Sequence, residues 1–173
     1  MLARLSGVLA LGIGLAATDA QADPAFVVAP GVSALVEPND PAPADRVGFG
    51  PAVTIGFFDH PSFREMGRVL PGFQAAFSSA LGPEGRFLAD VGVDVVATVS
   101  FSDGGIDPFV SFGPVVLFSA RADDAGSAVL GVRGDVGFHG MIFERLYWRL
   151  QGGLVGPVVG GLRAQLALGY GLF

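Results

Sequence analysis

The chain has 173 residues, no cysteine, two histidines and a formal net charge of -6 at pH 7. This length suits a single domain, and the lack of cysteine excludes disulfides, thiolate nucleophiles and cysteine-based metal sites. All ten basic residues are arginine and they form no basic run, so no nucleic acid partner is expected.

Residues 1–22 have the organisation of a secretory signal peptide. Arg4 precedes an apolar stretch (5–17), and the tripeptide AQA at the end of the segment forms a small-x-small cleavage site. The apolar stretch is shorter than the roughly 18 residues that a membrane-spanning helix needs, which favours cleavage over anchoring. We therefore predict removal of residues 1–22 and one domain over residues 23–173.

The composition of the chain as a whole is typical of a membrane protein without spanning helices. Mean hydropathy is +0.57 and hydrophobic residues make up 51% of the sequence. The sequence also has 27 glycines and 12 prolines, which disfavour long helices. A closed β-barrel is the other structure that satisfies every backbone polar group inside lipid. The composition therefore favours a β-barrel.

Alternation of apolar and polar residues predicts eight strands, separated by connectors rich in Gly, Pro, Asp and Ser. The segment from 139 to 150 is also compatible with a short helix. The predicted strands, in chain order, are 25–37, 46–58, 68–81, 86–101, 107–121, 127–140, 144–155 and 158–173.

The fourth predicted strand has two chemically different faces. Val91, Val93 and Val95 lie in an unbroken apolar row, whereas Asp90 and Asp94 lie on the opposite face. A helix would place the two aspartates among the valines, and β-branched residues favour strands. The sixth and seventh predicted strands repeat this arrangement, with polar faces made of Arg133, Asp135 and His139, then Arg145, Tyr147, Arg149 and Gln151.

Two kinds of eight-stranded barrel fit this alternation: a soluble lipocalin-like carrier and an outer-membrane barrel. A face in contact with water is normally about a quarter to a third charged, but the polar faces here are mostly Gly, Ala, Ser and Thr. Such small residues suit a tight barrel interior, in which charges of both signs pair. We therefore predict an outer-membrane barrel with a structural charge network in its lumen, formed by Asp90, Asp94, Arg133, Asp135, Arg149 and Arg163.

The last strand, "RAQLALGYGLF", ends on Phe173. The chain resembles the small outer-membrane β-barrels of Gram-negative bacteria, such as the OmpA transmembrane domain and OmpX, in architecture over residues 23–173. The resemblance implies an eight-stranded antiparallel up-and-down barrel in contact with lipid, monomeric, with Phe173 recognised by the outer-membrane assembly machinery. One departure is that Gly171, Gly169 and Ala167 stand where the family usually has apolar residues.

His60 and Ser62 are the residues that invite an enzymatic interpretation, because a few small outer-membrane barrels acylate or deacylate lipid A. The deacylase pattern His-x-Ser-Asn is interrupted here by Phe63. Strand counting also places His60 and His139 on the periplasmic side, away from the outer leaflet. We therefore expect no catalytic residue, no metal and no cofactor, with a lipid A-modifying enzyme as an alternative.

The expected role is structural or interfacial, with slow passage of very small solutes. The connectors predicted to face outside (38–45, 82–85, 122–126 and about 153–157) are short. Short connectors weaken an interpretation as an adhesin or receptor, which needs exposed loop surface.

Overall fold

The computed structural model describes residues 24–36, 47–59, 67, 69–82, 85–101, 106–120, 126–142, 146–156 and 161–172. Between 161 and 172 it describes the backbone and the side chains of Gln165 and Leu168. The predicted signal peptide and Phe173 lie outside the described residues.

The prediction of an all-β antiparallel barrel is confirmed. Successive strands pair antiparallel along the chain, so that β1 to β7 form a nearly closed barrel, and the backbone of β8 pairs with both β7 and β1. The strands are β1 (Pro24–Val36), β2 (Val47–Asp59), β3 (Val69–Leu81), β4 (Phe87–Val99), β5 (Asp107–Ala120), β6 (Ser127–Ile142), β7 (Leu146–Gly156) and β8 (Gly161–Leu172).

The strands are staggered, as the closure of a barrel requires. A path of paired residues that leaves β1 at Phe26 returns to β1 at Val36 instead of at its starting point. The path runs through Phe57, Phe73, Val95, Phe112, Gly134, Leu154 and Leu162. The strands are therefore tilted relative to the barrel axis.

Two overlapping predictions are resolved by the structure. Residues 139–142 and 146–150 belong to β6 and β7, so the strand prediction holds for the described part of segment 139–150 and the helical alternative is wrong there. Residues 153–155, predicted both as the end of the seventh strand and as part of an outer connector, continue β7 together with Gly156, and Gly153 is paired to Asp135. A side chain at Gly153 would collide with Asp135, so glycine here permits a close strand contact instead of ending the strand.

The two faces of each strand meet different surroundings. On β4, Val93 is 58% exposed and the adjacent Asp94 is 1% exposed. Across the described strands, aspartates, arginines and glutamines are buried inside the barrel, while large apolar side chains cover the outside. This exposed apolar belt includes Phe49, Phe57, Phe73, Phe112, Val136, Phe138, Leu150 and Leu154.

Prolines interrupt three seams between neighbouring strands. A proline has no N–H to donate to a ladder, and the register is broken at Pro51 between β2 and β3, at Pro114 between β4 and β5, and at Pro30 between β8 and β1. The registers of the β1–β2, β3–β4 and β5–β6 seams are continuous, as are those of β6–β7 and β7–β8. The sheet therefore consists of three continuous units: β1–β2, β3–β4 and β5–β8.

Serine hydroxyls occupy the interruption at Pro51. The hydroxyl of Ser33 on β1 donates to the carbonyl oxygen of Ser79 on β3, at 2.9 Å, and lies 3.4 Å from the carbonyl oxygen of Gly50. The hydroxyl of Ser79 donates to the carbonyl oxygen of Pro51 at 3.2 Å. Ser33 thus supplies the donor that proline cannot give, because a buried carbonyl without a donor is costly.

Candidate functional site

Arg133 on β6 is the centre of the polar interior and is 0% exposed. Its Nη1 donates to Asp90 Oδ1 at 2.8 Å, and its Nη2 and Nε donate to the two carboxylate oxygens of Asp94 at 2.6 and 3.2 Å. Asp135 completes the surroundings, with Oδ2 at 3.6 Å from Nε. One guanidinium therefore pairs with three carboxylates, an arrangement in which the bidentate contact to Asp94 is the strongest part.

The strand pattern explains how these residues come together. Asp90 and Asp94 share one face of β4 and are too far apart, at about 13 Å, to contact each other directly. The Arg133 side chain reaches both aspartates across β5. On β5 the residue paired with Arg133 is Gly113. A side chain at Gly92 would lie 3.2 Å from Arg133 Nη2, so glycine leaves room for the guanidinium against the wall of the barrel.

Glutamines extend this ion cluster around the lumen. Gln151 Nε2 donates to Asp135 Oδ2 at 3.3 Å and to Gln165 Oε1 at 2.7 Å. Gln165 Nε2 in turn lies 3.5 Å from the hydroxyl of Thr54. The polar contacts therefore run from the wall formed by β4 and β6, through β7 and β8, to β2.

Gln74 on β3 closes the network on the other side. Its Nε2 donates to Asp94 Oδ2 at 2.7 Å and lies 3.4 Å from the hydroxyl of Ser111. Gln74, Gln151 and Gln165 were not predicted from the sequence as members of the network. Their position on the same alternating face as the aspartates and arginines was the available signal.

Arg149 on β7 contacts aromatic rings inside the lumen. Its guanidinium carbon stands 3.9 Å from the ring centroid of Phe109 and 6.0 Å from that of Phe58, which are cation–π distances. Its Nε donates to Gln151, which links it to the Arg133 cluster. The predicted network member Arg163 has a described backbone, paired to Gly153, but its side chain is outside the description.

An aromatic cluster fills the end of the lumen at which β2 ends and β7 begins. Phe58 and Phe109 pack against the imidazole of His139, with ring centroids 5.5 and 5.1 Å away. The His139 ring nitrogens lie 2.9 Å from the hydroxyl of Tyr147 and 3.0 Å from that of Thr98. Phe58 and Phe109 were not predicted from the sequence as lumen residues, although they share the inward face with Gly56 and Ser111.

The contact of His139 with the hydroxyls of Thr98 and Tyr147 resembles a base beside a nucleophile. His139 is 7% exposed and both hydroxyl partners are also buried. The phenylalanines that cover the imidazole keep this pair away from the surface. His60 and Ser62, the other residues considered for catalysis, lie outside the described residues.

Within the described part of the chain, no group of three or more His, Asp or Glu side chains is arranged to hold a metal ion. Over the same residues, the structure has no helix that is both long enough and apolar enough to span a membrane.

Known structures with the same fold are outer-membrane proteins. The attachment invasion locus protein Ail of Yersinia pestis is 8% identical, with a TM-score of 0.59, covering 88% of this chain and 100% of that one. The N-terminal β-barrel domain of Pseudomonas aeruginosa OprF is 15% identical, with a TM-score of 0.57 and coverages of 87% and 98%. Neisserial surface protein A is 11% identical, with a TM-score of 0.56 and coverages of 86% and 96%.

No protein-family model and no curated protein sequence matches the chain. The fold is that of the small outer-membrane β-barrels, which confirms the predicted resemblance to this class. Together with the exposed apolar belt, it supports a location in the outer membrane of a Gram-negative bacterium.

The ion cluster predicts a large effect of removing its cation. Arg133→Leu leaves Asp90 and Asp94 buried without their guanidinium, and we expect a loss of about 3–5 kcal/mol in the free energy of unfolding. The measurement is urea titration of the protein folded in lipid vesicles, followed by tryptophan fluorescence.

The double variant Arg133→Leu with Asp94→Asn is the matched control, because it also removes one of the stranded charges. We expect it to be more stable than Arg133→Leu alone, which is the coupling that a double-mutant cycle measures. Additive losses from the two substitutions would contradict the assigned ion pairing.

Proposed function

We propose that this chain is a non-enzymatic integral outer-membrane protein with a structural or interfacial role. In this proposal, residues 1–22 are removed as a signal peptide. Residues 23–173 then form an eight-stranded, up-and-down transmembrane barrel, which is monomeric, contacts lipid along its outer face and is recognised by the assembly machinery through Phe173.

The observation that carries this proposal is the inverted distribution of charge and apolar surface. Arg133 and Arg149 are fully buried inside the barrel, whereas Phe73 and Val93 on the outside are more than half exposed. Apolar patches of this extent are rare on soluble monomers, but an apolar band around a barrel is what a bilayer requires. A lipocalin-like carrier would need the opposite arrangement, with its polar face in water.

The packed interior supports a structural or interfacial role over that of an open channel. Long polar side chains from four strands, including Gln74, Arg133, Arg149 and Gln165, are almost completely buried in the lumen. An eight-stranded barrel holds side chains and little else. Passage through it is therefore slow and restricted to very small solutes.

Adjacent residues on β4 test the assignment of the two faces. Val93→Arg places a charge on the lipid-facing side and should cost about 2–4 kcal/mol near the middle of the membrane. Asp94→Asn should still fold, because Arg133 keeps Asp90 and Asp135 as partners. Both free energies of unfolding are measured in lipid vesicles, with Val93→Leu as the control for a change of size alone.

If Val93→Arg were tolerated as well as Val93→Leu, the valine face would not be in lipid. A folded, monomeric protein recovered from the periplasm without detergent would likewise contradict the membrane proposal and favour the lipocalin-like alternative.

The Thr98–His139 contact gives the enzymatic alternative its most specific test. We expect that expressing the protein leaves the mass of lipid A unchanged, because the pair is buried among aromatic side chains. The measurement is mass spectrometry of lipid A. It compares cells that express the natural protein with cells that express the variant His60→Ala, Ser62→Ala or His139→Ala. A mass difference of one acyl chain that either histidine substitution abolishes would contradict the non-enzymatic role.

A further inference from the structure

The β1–β2 hairpin, like β3–β4, is a continuous unit between two interrupted seams, but it carries none of the Arg133 ion pairs, which lie on β4 and β6. Its own ladder is continuous from Pro24↔Asp59 to Val36↔Val47. Both of its flanking seams are interrupted, one at Pro30 against β8 and the other at Pro51 against β3. The hairpin is therefore a continuous unit between two weakened seams.

Within the described residues, the side-chain hydrogen bonds identified across these seams on the lumen side come from uncharged residues. Ser33 bonds the carbonyl oxygen of Ser79 across the β3 seam at 2.9 Å, and Thr54 accepts from Gln165 of β8 at 3.5 Å. The ion pairs of Arg133 instead connect β4 with β6 on the opposite wall. Among the described contacts, the hairpin is thus held in its middle by weak hydrogen bonds, and the rest of the barrel by charged ones.

The two ends of the hairpin are packed unequally. At the end where β2 stops, Phe58 and Val27 belong to an apolar cluster that includes Phe109 and Tyr147 from the opposite wall. Toward the other end, the inward residues of β2 are small: Gly48, Gly50 and Ala52. Larger side chains therefore anchor one end of the hairpin across the lumen, and none on β2 does so at the other end.

We propose that the β1–β2 hairpin is a lateral gate of the barrel. It pivots about its Phe58 end, separates from β3 and β8 along the two proline-interrupted seams, and opens the lumen sideways to the surrounding lipid. The internal ladder of the hairpin and the Arg133 ion pairs remain intact during this motion. Such opening is a sub-global one, in which one continuous unit detaches with its own ladder formed while the rest of the structure stays folded.

Hydrogen exchange of the protein folded in lipid nanodiscs tests the gate. The backbone amides of β1 that face β8 and those of β2 that face β3 are the seam amides. They should exchange at least about tenfold faster than amides of the continuous β5–β6 ladder. Ser33→Ala removes one hydrogen bond and should accelerate seam exchange by about tenfold without changing β5–β6. Pro51→Ala restores a ladder donor opposite Ser79 and should slow it.

An engineered disulfide distinguishes opening of the gate from general instability of the barrel. Because the natural chain has no cysteine, the introduced pair forms the only disulfide. Val53→Cys with Phe77→Cys joins paired residues across the interrupted β2–β3 seam, and Ala75→Cys with Val93→Cys joins paired residues across the continuous β3–β4 seam. In the oxidised proteins, only the first pair should slow exchange in β1 and β2, and reduction should reverse the effect. The gate proposal would be contradicted if the two disulfides slowed exchange in β1 and β2 equally. Equal exchange rates in all ladders of the protein without a disulfide would also contradict it.

Discussion

The buried guanidinium of Arg133 is the interaction on which the rest of the interior depends. It joins β4 to β6 across β5 by contacts of 2.6 to 3.6 Å with three aspartates. A buried carboxylate without a cation is strongly unfavourable, so the strands that carry these aspartates must keep the register that brings them to Arg133. Gln74 and Gln151 then connect β3 and β7 to the same cluster.

The outer surface follows from the same constraint. Because each strand places alternate residues on opposite faces, a strand that directs its charges into the lumen must direct its other face outward. In this chain that outward face is apolar, as Val93 beside Asp94 illustrates. In a bilayer such a surface is stable, and the low dielectric of the barrel interior makes a buried charge without a partner costly. The inside and the outside of the barrel are thus two consequences of one alternating pattern.

The alternation in the sequence was sufficient to predict the barrel and the faces of β4, β6 and β7. It also selected Asp90, Asp94, Arg133 and Asp135, which the structure brings together. It did not distinguish the surroundings of Arg149, which stacks on Phe109, because the partner of an inward residue depends on strands distant in the chain.

The proline-interrupted seams could not be predicted from the sequence for the same reason. Whether Pro51 costs a ladder hydrogen bond depends on which neighbouring strand its nitrogen faces, and alternation does not specify this. The compensating donor, the hydroxyl of Ser33, lies on β1, a third strand besides the β2 and β3 of the interrupted seam. Sequence patterns define faces, whereas hydrogen-bond partners across seams require the register of the whole barrel.

The most direct test of the inverted barrel is the accessibility of spin labels along β4 in lipid vesicles. Single cysteines at Val91, Val93, Val95 and Val96 carry the label, and molecular oxygen and a water-soluble nickel complex serve as the lipid-phase and aqueous probes. We predict that labels at Val91, Val93 and Val95 respond to oxygen and not to nickel, while the label at Val96 responds weakly to both. Strong responses to nickel at Val91, Val93 and Val95 would contradict this prediction.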